Sequence, residues 1–65
     1  MEKKLTITST NGSHAVTWYF GSTFEVFEET ETGYALVDAF TCYVDGNKPT
    51  QEEALEIMRE HLKTL

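Results

Sequence analysis

The chain has 65 residues, 40% of them hydrophobic, with eleven Asp and Glu against five Lys and Arg, a net charge of −6. That is room for one domain near the lower size limit for folding unaided, hiding only about 60% of the surface its unfolded form exposes. The charge balance weighs against direct contact with nucleic acid or an anionic membrane, because both are bound by neutralising phosphates.

Leu5 and Ile7 alternate with Lys4, Thr6 and Thr8, so residues 3–9 read as a strand. Asn11-Gly12 marks a hairpin turn. A second strand is expected over 14–20, with Val16, Trp18 and Phe20 on one face and Ala15, Thr17 and Tyr19 on the other. Gly21-Ser22 reads as a two-residue turn with glycine at its first position, as a type II′ hairpin prefers. The third strand, 23–29, puts Phe24 and Val26 on one face and Glu25, Phe27 and Glu29 on the other. A loop over Thr30-Glu31-Thr32-Gly33 follows. Residues 34–44 form a fourth segment in which Leu36, Phe40, Cys42 and Val44 share a parity that Asp38 interrupts. A bulge or bend near Asp38-Ala39 resolves this, giving either one kinked strand or two short ones.

Asp45 to Pro49 is a turn by composition. Thr50 opens a helix over 50–63: its hydroxyl suits the Glu53 amide, and the Glu53 carboxylate suits the Thr50 amide, the capping box. Glu52 and Glu53 complement the helix dipole. Ala54, Leu55, Met58, Leu62 and Leu65 make an apolar stripe with Ile57 and His61 at its edge, and Glu52, Glu56, Arg59, Glu60 and Lys63 face water. The parts assemble as an α+β fold, an antiparallel meander of three to five strands with one C-terminal helix across one face. That face carries Leu5, Ile7, Val16, Trp18, Phe20, Phe24 and Val26, with Trp18 packed under Leu55 and Met58. The alternative is a small SH3-like barrel closed by the helix.

No catalytic motif or phosphate loop is present. Cys42, His14 or His61, and Asp38 include the residue types of a nucleophile, base and orienter, but Cys42 shares the apolar parity of its strand and is expected to be a structural thiol. His14 is expected at the surface. Cys42, His14 and His61 have no metal-ligand spacing, so neither metal nor cofactor is expected, and the chain is not read as an enzyme. The run Met1-Glu2-Lys3-Lys4-Leu5 leads into no apolar stretch, which with the lone cysteine suggests a reducing, cytoplasmic setting without membrane association.

The second sheet face carries the recognition candidates. Tyr19 and Phe27 are expected to meet there as a cross-strand pair beside Glu25, with Thr6, Thr8, Thr17 and Tyr43 nearby. Glu25, Glu28, Glu29 and Glu31 put four carboxylates in seven residues around a hairpin end. These features suggest a small acidic protein-interaction module, a regulator or inhibitor meeting a basic or mixed protein surface. The same face also suits a homodimer, a structural subunit that associates with itself. In size and charge alone, the chain is similar to small acidic inhibitors from phages and mobile elements, which imitate nucleic-acid phosphates. The counterweight to each of these readings is an ordinary solvated sheet and a charged, soluble surface.

Overall fold

In a computed structural model, residues 3–65 are described; Met1 and Glu2 of the charged N-terminal run lie outside the described residues. Four strands, β1 (Leu5–Thr8), β2 (His14–Trp18), β3 (Thr23–Thr30) and β4 (Gly33–Thr41), precede one helix, α1 (Gln51–Lys63). The strands form an open antiparallel sheet in the order β1-β2-β3-β4. This is the α+β meander with its helix on one face, and the sheet does not close into a barrel.

The register aligns Leu5, Trp18, Phe24 and Phe40 across the sheet, with Ile7, Val16 and Val26 one pleat further along. These side chains share the face on which α1 lies, and Val16, Trp18, Phe24, Val26, Ala54 and Met58 form the buried core. Leu5, Ile7, Phe20, Phe40, Cys42, Leu55, Ile57 and Leu62 pack around it. Stacked rings continue the core laterally: Trp18 on Phe24 at 6.4 Å, Phe24 on Phe40 at 5.1 Å and Phe40 on the His61 imidazole at 4.6 Å. Leu65, expected in the apolar stripe, lies beyond the helix and is exposed.

The helix begins as its sequence dictates. Thr50 Oγ1 accepts from the Glu53 amide and Glu53 Oε1 accepts from the Thr50 amide, closing both halves of the capping box. Asp45 (φ 52°) and Gly46 (φ 79°) turn the chain in a tight hairpin closed by Val44 and Asn47.

Two connections differ from expectation. Gly21 is not the left-handed residue of the β2–β3 loop; Phe20 is, at φ 65°, a conformation uncommon for a bulky side chain. The Phe20 ring lies 4.3 Å from that of Trp18, and the Trp18 indole N–H donates to Gly21 O at 2.8 Å. The strained conformation thus falls on the residue in contact with the core, and β2 ends at Trp18 rather than Phe20.

The fourth segment is one kinked strand. Its bulge falls at Val37, between the pairs Val26–Asp38 and Phe27–Leu36, one residue before the expected position. An extra residue reverses the alternation. Phe40 therefore faces the core while Leu36, expected with it, lies on the opposite face.

Candidate protein-contact surface

The face turned away from α1 divides into two unlike parts. Over β1 and β2 it is shallow and small: Ala15 and Thr17 are each only 4% exposed, and Thr17 Oγ1 lies 2.8 Å from Thr6 Oγ1 in a cross-strand hydroxyl pair. Over β3 and β4 it carries large side chains. Phe27 is half-buried between its register partners Ala15 and Leu36, while Leu36 and Tyr34 are 55% and 47% exposed. Glu25 and Glu29 stand two residues either side of Phe27 on the same face.

Tyr34 is anchored. Its hydroxyl donates to Gly12 O at 2.6 Å, tying the β3–β4 hairpin to the β1–β2 turn. That turn is itself knitted by Asn11 Oδ1, which accepts from Ser9 Oγ, the Ser13 amide and Ser13 Oγ. The ring is thereby held in place while its face remains accessible.

The structure redistributes the residues singled out from the sequence. Tyr19 and Phe27 are not cross-strand neighbours. Tyr19 lies past the end of β2, grouped with Lys3, Thr23 and Glu25, and four residues of β3, about 13 Å, separate Thr23 from Phe27. Glu28 leaves the group as well. It lies on the helix-side face, where its Oε2 is 3.4 Å from His14 Nε2, while Glu29 lies on the open face and Glu31 occupies the hairpin turn. Sequence reasoning missed Leu36 and Tyr34, because Leu36 could be assigned to this face only after the bulge was placed at Val37.

His14 is less exposed than expected, its side chain 20% accessible. Ser13 Oγ lies 2.8 Å from its Nδ1, so serine, imidazole and the Glu28 carboxylate form a short chain. Ser13 Oγ is also bonded to Asn11 Oδ1 at 2.8 Å, which ties the serine into the β1–β2 turn. Cys42 is not near this chain. Its amide pairs with Ser22 O at the opposite end of β3, its side chain packs against the core, and Asp38 accepts from its neighbour's amide. Among the described residues, no group of three or more His, Cys, Asp or Glu is arranged to hold a metal ion, and no helix is long and apolar enough to cross a membrane.

The outer edge of β4 is interrupted. Cys42 N–H donates to Ser22 O at 2.9 Å, which sets the phase of the ladder. In that phase Phe40 and Asp38 bond inward to β3, and Ala39 and Thr41 turn their amides outward. The outward Ala39 N–H is taken by Asp38 Oδ1 at 2.8 Å. With the bulge at Val37, no continuous row of outward amides runs the length of the strand. Both features are recognised ways of blunting a sheet edge against strand addition.

No protein-family model, curated protein or solved structure matches this chain.

Proposed function

We propose that the protein is a non-enzymatic interaction module, a small regulator or inhibitor that meets a basic or mixed protein surface through the open face of its sheet. The observation that carries this reading is the cluster of Phe27, Leu36 and Tyr34, uncovered by any element of the fold and set between Glu25 and Glu29. Aromatic and aliphatic anchors at the centre with charges at the rim are the usual anatomy of an interface. Tyr19 extends the patch at the Glu25 end, and Glu31 with Glu29 supplies a negative hairpin end that speeds encounter with a basic partner.

The broken outer edge of β4 favours a contact through side chains over one made by adding a strand. At −6 per chain, stacking two such faces brings like charges together, so a foreign partner fits the patch better than a second copy. The bond between Ser13 Oγ and Asn11 Oδ1 within the β1–β2 turn supports a structural role for the Ser13–His14–Glu28 chain.

The test is capture of partners from a lysate of the source cells at about 50 and about 200 mM salt, a range over which the Debye length falls roughly twofold. A stoichiometric protein whose capture declines with salt is the expected result. Recovery of the bait alone, with a concentration-independent dimer in sedimentation, contradicts the proposal and gives the patch to self-association.

A further inference from the structure

A helix with its side chains is about 10 Å across, and neighbouring strands lie about 4.8 Å apart. One helix therefore covers about two of four strands, and α1 packs chiefly on β2 and β1. On the β4 side, the space beside the helix is bridged by the His61 ring stacked on Phe40. An open groove of about 570 Å³ lies there. Val44, Ile57 and His61 supply its less polar lining, and Glu53, Glu56 and Glu60 contribute carboxylates.

The three glutamates recur at intervals of three and four residues, which places them in one row along the helix. No Lys or Arg lines the groove. Glu53 is engaged in the capping box and Glu60 in an exposed pair with Lys63 at 3.2 Å. This leaves Glu56 placed to meet a ligand and Glu60 able to exchange Lys63 for one, since an exposed ion pair is worth little. From Glu53 to Thr64, the helix-side wall runs about 16 Å, three helical turns.

We propose that this groove seats a basic amphipathic helix of a partner protein, laid along α1 beside Val44. Its apolar stripe would rest on Val44, Ile57 and the His61 ring, and its lysines or arginines would face Glu56 and Glu60. Charge complementarity selects this occupant: a groove with an apolar floor and a single-sign rim recognises a helix of the opposite sign. This surface lies on the opposite side of the sheet from Phe27, Leu36 and Tyr34, and it makes the domain two-sided.

The test is an amide NMR titration of the intact chain with a synthetic Leu/Lys helix of about 18 residues, its leucines at three- and four-residue spacing. A scrambled peptide of the same composition is the control. Expected are saturable shifts centred on Val44, Ile57 and His61, weakened at least about tenfold by the exposed pair Glu56→Lys and Glu60→Lys, whose fold is checked by circular dichroism. Leu36→Glu, on the other face, leaves this binding unchanged, which separates the two surfaces. Shifts centred on Phe27 and Leu36, an equal response to the scrambled peptide, or no saturation by about 1 mM, the weak end of specific affinity, would each overturn the proposal.

Discussion

β2 and β4 belong to the same sheet, yet they live in different environments. Ala15, Val16, Thr17 and Trp18 of β2 are all buried, whereas in β4 every residue except Phe40 is exposed. The difference follows from position and cover. β2 is flanked by two strands and lies beneath α1, while β4 has one neighbour and meets α1 through the stack of His61 on Phe40. A chain of 65 residues can complete only one covered core, so the apolar side chains of its last strand remain at the surface. The buried core is built from β2, the helix-side residues Phe24 and Val26 of β3, and α1, while the accessible apolar side chains Leu36 and Tyr34 lie on β4.

The largest effect should come from the buried core. Trp18→Ala removes a fully buried ring, its contact with Phe20, its stack with Phe24 and its bond to Gly21 O. A cost of about 3–5 kcal/mol exceeds what a domain of this size is expected to spare. The variant should be unfolded by circular dichroism at room temperature; a folded, cooperative variant would break the contrast between the two strands.

A middle-sized effect is expected where the helix starts. Thr50→Ala opens the capping box and should cost about 1 kcal/mol, read as a lowered midpoint in urea. An unchanged midpoint would mean that packing alone sets the end of the helix. Tyr34→Phe deletes the bond to Gly12 O, and because that bond is solvent-exposed the loss should be small, about 0.5 kcal/mol. Amide exchange at Gly12 and Ser13 should rise selectively.

Asp38→Val tests the edge rather than the core. It leaves the outward Ala39 amide without its carboxylate cap and removes the single charge of β4. Monomer stability should move by less than about 0.5 kcal/mol, since the site is exposed, while concentration-dependent association should appear in sedimentation. If the variant remains monomeric at high concentration, the bulge at Val37 is sufficient protection alone.

Most of the core and its helix was legible in the sequence. The alternation of Leu5, Ile7, Val16, Trp18, Phe24 and Val26 identifies the core face, and Thr50 with Glu53 identifies the helix start, because each signal is local. What escaped depends on contacts distant in sequence or on phase. Phe20, rather than Gly21, is left-handed, with its ring held against that of Trp18. The bulge falls at Val37 because Asp38 and Phe40 share the helix-side register with Val26 and Phe24, and that one-residue shift moves Leu36 to the open face. The expected Tyr19–Phe27 pair failed because it depended on the hairpin register, which sets Ala15 rather than Tyr19 opposite Phe27. Glu25, Glu29 and Phe27 fell on their expected face because β3 alternates without interruption.

The proposed separation of the buried core from a contact surface around Leu36 is tested most directly by Leu36→Glu, measured for thermal stability and for partner capture in the same preparation. The account predicts a stability within about 0.5 kcal/mol of the parent, as for an exposed side chain, together with loss of the captured protein. A marked drop in stability, or undiminished capture by a fully folded variant, would contradict it.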